Sequence, residues 1–476
     1  MGSVQIFPHD TATMGEFNDK AYITETEALF KRFPSVQVSP LQNAYKPGLE
    51  RIIAFDELLG HPHKAFKSIH VAGTNGKGSV ANMLASVLTA AGHRTGLFTS
   101  PHILDFRERM RVAEGDGRGC IAHKAPKEYV LNFIERWRPD FERLELSFFE
   151  ITTGMAFKWF ADMGADTAVI EVGLGGRLDS TNIITPMLSI VTGIGLDHCQ
   201  QLGYTLSEIA GEKAGIFKEN VPALVGEVLP ETEPVFKAKA SSTHSQLHFA
   251  QRMIPTLWDS REFLLRNMDL QGEFQQKNLL TVLSAMDILC QIQPGLIPAE
   301  TNVSGALIHT AERMDFHGRW ERISDHPHII CDIGHNAHAL KNNFSQLERM
   351  LEKGECSSLI IVYAVMADKD LDAIMPLMPH NASYIFTAPA TQRALPADEL
   401  LKRYLAYCKK EGLNTGRLYS SENVSKALSM ATMLAAQTNP RQIDRKAPEP
   451  IIYIGGSTYL VSEAVPLLRP EGKSSV

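Results

Sequence analysis

Apolar positions in this chain fall into short runs separated by longer stretches with helical spacing. Ser68–Ala72 is such a run and predicts a strand. It feeds the glycine-rich turn Gly73–Gly78, and Val80–Ala91 continues with apolar residues at helical spacing. The alternation then repeats. Candidate strands Thr95–Ser100, Thr167–Leu174, Leu188–Gly195 and Pro222–Glu227 are separated by helical patterns at Lys127–Arg138, Phe148–Met163 and Leu206–Phe217. Strands alternating with helices predict a parallel α/β sheet. Residues 228–270 are less regular, and a helix is predicted from Phe274 to Gln291. Pro294–Pro298 breaks the pattern, with a connecting segment to about Arg319. From His328 the alternation restarts, with strands at Ile329–Ile333, Leu359–Met366, Tyr384–Ala388 and Ile451–Gly455. Helical patterns lie between them at Ala337–Glu352, Pro396–Lys410 and Glu422–Gln437, and Asn439–Pro450 reads as a polar loop. The chain therefore divides into two α/β domains, 1–310 and 311–476, without internal repeats or low-complexity tracts.

The turn between the first strand and its helix carries the clearest chemistry. Gly73-Thr74-Asn75-Gly76-Lys77-Gly78-Ser79 has the layout of a phosphate-binding loop. Backbone N–H groups converge there, the helix N-terminus adds partial positive charge, and Lys77 can reach terminal phosphates. The common pattern wants Gly at position 71 and Ser or Thr directly after the lysine. This chain has Val71 and Gly78 there, with the hydroxyl one residue later at Ser79. That departure points to a ligase-type loop binding a nucleoside triphosphate.

Composition narrows the class. With 476 residues, 44% hydrophobic and 21% charged, the chain is an ordinary globular protein. A net charge of −7 argues against a dedicated nucleic-acid binder. The six cysteines show no C-x-x-C spacing, so neither a zinc site nor a redox motif is suggested, and such sparse thiols fit a reducing cytoplasm. Met1–Gly15 has no Lys or Arg and no apolar core, unlike a secretory signal. No apolar run approaches membrane-spanning length. His61 and His63 flank a proline before the first strand and read as surface turn residues.

In an open parallel sheet, residues just past strand C-termini face the ligand crevice. Thr99-Ser100-Pro101-His102 is so placed, and Ser100 could touch a metal or phosphate. Arg107, Arg109 and Arg111 follow, either serving anionic substrates or forming a solvated basic stretch. Glu150, in Phe148-Phe149-Glu150, is either a helix N-terminal residue favoured by the dipole or a Mg²⁺ ligand. Glu171–Asn182 joins three glycines to Arg177, Asp179 and Asn182, which suits a loop wrapping a polar ligand. His198, in Leu196-Asp197-His198, follows another strand end, and Lys213 lies in Glu212-Lys213-Ala214-Gly215-Ile216-Phe217. In the second domain Gly318-Arg319-Trp320-Glu321 precedes Asp332-Ile333-Gly334-His335-Asn336. Asp332 could hold a ribose hydroxyl and Arg319 a phosphate across the cleft.

Together these strings resemble the folylpolyglutamate synthase family, including its bifunctional dihydrofolate synthase members, which belongs with the Mur ligases. The similarity runs from about Tyr45 to Val461 and rests on the order and number of the strings. The resemblance implies a P-loop NTPase-type parallel-sheet N-terminal domain and a smaller Rossmann-like C-terminal domain, with ATP between them. It implies a cytoplasmic monomer that uses ATP, Mg²⁺ and L-glutamate with dihydropteroate or folates, through an acyl phosphate.

Roles follow by matching position. Gly73, Thr74, Asn75, Gly76, Lys77, Gly78 and Ser79 would cradle the phosphates, and Ser100, Glu150 and His198 would hold Mg²⁺. Lys213 would match the lysine that is carbamylated in this family and helps hold a second Mg²⁺. Gln275 and Asn278 resemble the family's G-x-H-Q-x-x-N on the nucleotide side, with Phe274 replacing His. Arg319 would reach the phosphates, and Asp332 and His335 would contact nucleotide or transferred phosphate. Ile333 and Gly334 replace a Gly-Ala pair common in relatives. Phe149 and Asp179 are similar to positions lining the pterin pocket. Two other readings are a Mur-like ligase acting on a different carboxylate and a P-loop switch that hydrolyses ATP to change shape. The short region before the phosphate loop leaves little room for a separate sugar-nucleotide domain. Lys77→Ala is expected to abolish turnover and leave the fold intact; a variant with wild-type kcat would remove the phosphate-loop assignment.

Overall fold

The computed structural model describes residues 19–33, 48–115, 120–440 and 447–469. Met1–Gly15 and part of the Asn439–Pro450 loop lie outside the described residues. The first sheet has eight strands: β1 (Lys67–Ala72), β2 (Thr95–Phe98), β3 (Met110–Gly115), β4 (Cys120–Lys124), β5 (Thr167–Glu171), β6 (Leu188–Val191), β7 (Ala223–Val225) and β8 (Leu247–Phe249). Their spatial order is β4-β3-β2-β5-β1-β6-β7-β8. The second sheet contains β9 (Glu321–Asp325), β10 (His328–Asp332), β11 (Leu359–Tyr363), β12 (Ser383–Phe386), β13 (Leu418–Ser420) and β14 (Ile451–Gly455), in the order β13-β12-β11-β14-β10-β9. Central strands β5, β11 and β14 are buried throughout, which explains the apolar runs of β11 and β14 and of Ala168–Ile170 in β5.

Helices cover the first sheet. The helix Lys77–Ala90 is buried from Gly78 to Thr89, so it reads as apolar all round. It packs against the helices Gln275–Ile292, Val303–Ile308 and Thr310–Met314. The helix Phe148–Asp162 packs with an aromatic cluster that includes Phe55, Phe133 and Phe141. The first core continues through Phe316, and Trp320 already belongs to the second. No described helix is long and apolar enough to cross a membrane.

The sheets are parallel-dominant but not wholly parallel. β3 runs antiparallel to β2 and β4, and β9 runs antiparallel to β10. β9, at the edge of its sheet, and β3, paired on both sides by β2 and β4, escape the hydrophobic pattern. β9 is Glu-Arg-Ile-Ser-Asp, with no fully buried residue. β3 begins Met-Arg-Val, and its Arg111 is buried through its hydrogen bonds rather than by apolarity. The irregular stretch 228–270 holds the helices Glu233–Ser242 and Arg261–Asn267 and the three-residue β8.

An ionic chain spans the connection between the sheets. His317 Nε2 lies 3.0 Å from Asp315 Oδ1, and Nδ1 lies 2.9 Å from Glu321 Oε1. Lys124 pairs with Asp315 at 2.7 Å, and Arg469 with Glu321 at 2.8 Å. Burial alone would lower the His317 pKa, but the two carboxylates outweigh it and raise it to about 9. Because the folded value lies above the ordinary one, this stabilisation is complete below about pH 6.5 and is lost as pH rises through about 9. Between pH 7 and 9.5 the wild-type Tm should therefore fall by roughly 2–4 °C more than that of His317→Gln. Parallel pH dependences in the two proteins would mean that the imidazole is neutral in the fold.

Candidate active site

β1 lies between β5 and β6, so the loops after these three strands open at one end of the sheet. The phosphate loop needs its glycines here. Gly73 (φ +150°) and Gly76 (φ +87°) have positive φ; a Cβ on Gly73 would stand 1.9 Å from Thr192 Oγ1, and one on Gly76 2.3 Å from Asn278 Oδ1. Thr74 N donates to Gly193 O at 2.8 Å, and Thr192 Oγ1 donates to Asn75 O at 2.6 Å. The loop is thus pinned to the residues following β6. Lys77 Nζ donates to Gly73 O (3.0 Å) and Thr74 O (3.2 Å), which holds the ammonium over the loop. Gln275 Nε2 donates to the buried Ser79 Oγ at 3.2 Å, and Asn278 Nδ2 donates to Gln275 Oε1 at 2.7 Å. Gln275 and Asn278 thereby join the loop despite Phe274 at the preceding position.

Glu171 is the carboxylate that the sequence did not single out. It ends β5, is paired in register with Val71 on β1, and is 3% exposed. Its Oε2 accepts from Ser100 N at 3.0 Å, and Ser100, Glu171, Arg111 and Arg319 line one small cavity. Burial raises the Glu171 pKa, with Lys77, the Ser100 N–H, Arg319 and Arg111 pulling it back. The available signal was positional: Glu171 ends a strand beside the one that feeds the phosphate loop.

Glu150 is placed differently. It is the third residue of the helix Phe148–Asp162 and completes a capping box with Ser147, accepting from Ser147 N at 2.7 Å. Its other oxygen lies 3.2 Å from Arg51 Nε. Oε2 is committed to the cap, while Oε1 is buried beside the Arg51 charge without a hydrogen bond, an arrangement that fits the helix-terminal alternative. The three arginines are also engaged. Arg107 pairs with Asp105 at 2.7 Å, Arg109 Nε donates to His102 Nδ1 at 2.8 Å, and Arg111 donates to Thr99 Oγ1 at 2.9 Å. They brace the segment around Ser100, and Arg111 alone of the three lines the cavity.

Asp179 shapes its loop. Its Oδ2 accepts from Gly173 N (3.1 Å) and Leu174 N (2.9 Å), and its Oδ1 accepts from Thr181 N (3.0 Å) and from the Thr181 hydroxyl. The Phe149 ring packs on Gly173, where a Cβ would sit 2.3 Å from it. Phe149 and Asp179 therefore meet at the same glycine, the ring against its backbone and the carboxylate on its N–H. Lys213 is 4% exposed, and burial followed by the nearby Lys77 charge lowers its pKa to about 7.

The second sheet closes onto this end. Asn75 and Asn336 exchange two amide hydrogen bonds at 3.1 Å, and Asn75 Nδ2 also lies 2.9 Å from His338 Nδ1. Asp197 takes Lys369 Nζ at 3.1 Å and Asn336 Nδ2 at 3.0 Å, with His335 Nε2 at 3.6 Å. Burial would raise the Asp197 carboxyl, but these partners hold it well below the usual range. His198, in the left-handed conformation (φ +51°), completes a group with Asp197 and His335 whose ligand atoms lie within 4.8 Å of one another. Arg319 sits over the Phe316 ring at 5.1 Å, its Nη2 3.6 Å from a Cβ placed on Gly78. Asp332 is saturated by protein donors: Trp320 N at 2.8 Å, Gly334 N at 2.7 Å and Asn343 Nδ2 at 2.7 Å. It braces the turn after β10.

The arrangement puts a phosphate cradle, a lysine, a buried carboxylate with a neighbouring hydroxyl, and a His/Asp group around one interdomain cleft. Oxygen donors of this kind suit a hard divalent cation. Residues 318–441 match the family described as Mur ligase, glutamate ligase domain. The folylpolyglutamate synthase of Lacticaseibacillus casei is 32% identical over 464 residues, covering 92% of this chain and 97% of that protein. The folylpolyglutamate synthase of Mycobacterium tuberculosis, solved with ADP and AMPPCP, is similar with a TM-score of 0.76 and 26% identity, over 96% of this chain and 100% of that one. A bifunctional folylpolyglutamate synthase/dihydrofolate synthase with Mn, AMPPNP and L-glutamate bound has a TM-score of 0.69 and 25% identity, over 89% of this chain and 95% of that one.

Proposed function

The chain belongs to the folylpolyglutamate synthase/dihydrofolate synthase family, and from that premise we propose that it ligates L-glutamate to dihydropteroate, to reduced folates, or to both, at the cost of ATP. The observation that carries this reading is the meeting of the phosphate loop, Glu171 and the Asn336–His338 segment in one cleft. A switch ATPase has no need of a second α/β unit hydrogen-bonded to its phosphate loop. The two units divide between Phe316 and Trp320.

The chemistry begins with a poor acylating agent. A pterin-bearing carboxylate oxygen attacks the γ-phosphorus of ATP, the bond to the β-phosphate oxygen breaks, and ADP leaves. The α-amine of glutamate then attacks the acyl-phosphate carbonyl; the amide forms, inorganic phosphate departs, and the amine's surplus proton goes to solvent. Backbone N–H groups of Gly73–Ser79 hold the phosphates, and Lys77 exchanges its two carbonyl partners for the terminal phosphate oxygens. Arg319 approaches the same loop from the second unit and balances charge on the transferred group. Mg²⁺, when bound, neutralises phosphate charge; Ser100 and Glu171 would hold one ion, with His198 and a carbamylated Lys213 serving a second. The Lys213 value of about 7 supports this, because a neutral amine adds CO₂ with loss of one proton. His335 faces the cleft beside Asp197 and contacts the transferred phosphate; Asp332 acts through the turn it braces. Phe149 and the Asp179-held loop border the pterin end.

Phosphate release from MgATP and L-glutamate tests the reaction. Release with dihydropteroate and with tetrahydrofolate is expected of a bifunctional enzyme, and release with one assigns that step. Release that ignores both acceptors would return the chain to the switch reading. For the metal, Glu171→Gln should raise the Mg²⁺ needed for half-maximal activity about tenfold or more. Glu150→Gln should leave that titration unchanged and lower stability by about 1 kcal/mol through its weakened cap. The reverse pattern would reinstate Glu150 as the ligand.

A further inference from the structure

At the other end of β1, away from the cleft, three side chains converge that the ligase reaction does not use. Asp56 lies in the last turn of the helix Glu50–Leu58 and is 3% exposed. Its Oδ1 is 2.7 Å from His63 Nδ1, and its Oδ2 is 2.9 Å from His61 Nδ1. The three ligand atoms all lie within 4.8 Å of one another. β1 separates this cluster from the phosphate loop by about 20 Å of strand, too far to touch a nucleotide there.

The turn is built to aim the rings inward. Gly60 and His61 both have positive φ (+82° and +56°), a left-handed backbone that histidine tolerates better than most side chains and that turns the chain sharply here. His61 N donates to Asp56 O at 2.8 Å, which folds the turn back over the helix end. The two imidazoles are perpendicular (87°, centroids 6.1 Å apart), so their Nδ1 atoms reach the carboxylate from different directions. Burial raises the Asp56 pKa, but hydrogen bonds from His63 and His61 outweigh it and keep the group an anion.

We propose that Asp56, His61 and His63 form a zinc-binding site that clips the helix Glu50–Leu58 to the turn entering β1. Two imidazole nitrogens and one carboxylate oxygen are the donors Zn²⁺ takes in tetrahedral sites, with water in the fourth position. They are a poor set for Mg²⁺, which prefers oxygen. In the metal-free state each ring keeps its proton on Nδ1 and donates it to Asp56. Moving that proton to Nε2 turns each Nδ1 lone pair toward the shared centre with no net proton change. The His61 side chain is 44% exposed, which leaves the ion a route from solvent. H-x-H spacing across Pro62 carries the signal, which cysteine counting passes over.

The test is a Zn²⁺ titration of the EDTA-stripped full chain, with Mg²⁺ and ADP present to fill the cleft, beside His61→Gln/His63→Gln. The wild type is expected to take up one Zn²⁺ more per chain than the variant and to gain thermal stability with Zn²⁺ that the variant does not. Co²⁺ should give visible absorption in the wild type alone. Equal uptake by both proteins would overturn the site. Should the double variant fail to fold, His61→Gln alone changes the exposed ring; an affinity lowered about tenfold or more supports the site, and an unchanged affinity removes it.

Discussion

The Glu171 carboxylate, held almost out of water among cations, is the interaction on which the cleft depends. Taking a carboxylate out of water costs several kcal/mol unless partners compensate. Here the compensation comes from Lys77, the Ser100 N–H, Arg319 and Arg111. These groups arrive from four separate segments, one of them in the second unit, so a single buried charge ties strand ends, loop and neighbouring domain together. The cations are set for a polyanion before it arrives. A triphosphate entering this site meets fixed charges and oriented N–H groups, and little reorganisation remains.

At the mouth of the phosphate loop the second unit reaches the first through polar contacts. Asn75 with Asn336 and His338, and Asp197 with Lys369 and Asn336, join the two sheets at the mouth of the loop. Hydrogen bonds of this kind are individually weak in net terms, about 1 kcal/mol each. They fix orientation while leaving the interface able to open. Apolar contact is shared as well: Ile103 of the first unit is buried in one cluster with Ile329, Ile333 and Val461 of the second, so opening would also part this contact.

Much of this was legible in the chain. β14 falls at Ile451–Gly455 and the following-domain helix at Ala337–Glu352, as the apolar periodicity predicts. Strand C-terminal ends pointed to Ser100, His198 and the phosphate loop without any contact being visible. What stayed hidden shares a physical cause. β9 is an edge strand with mostly polar side chains, and β3 sets the buried Arg111 between Met110 and Val112, so hydrophobic alternation does not register them. Glu150 and Glu171 each stand at an element's end next to apolar residues in the sequence, and only the third dimension separates a helix cap from a cleft carboxylate. Asp179 and Asp332 look like ligand groups in sequence, yet both spend their oxygens on backbone N–H groups of adjacent turns. His61 and His63 read as surface turn residues until Asp56 is seen between them.

Asn75 belongs to the phosphate loop, yet its side chain is what the second unit grips. The same residue therefore senses nucleotide and domain position together. By thermodynamic reciprocity, any factor by which closure strengthens nucleotide binding is the factor by which nucleotide favours closure. Molecules that never touch the phosphates but wedge the two units apart would thus act as antagonists of ATP, and those that bridge the units would act as its allies.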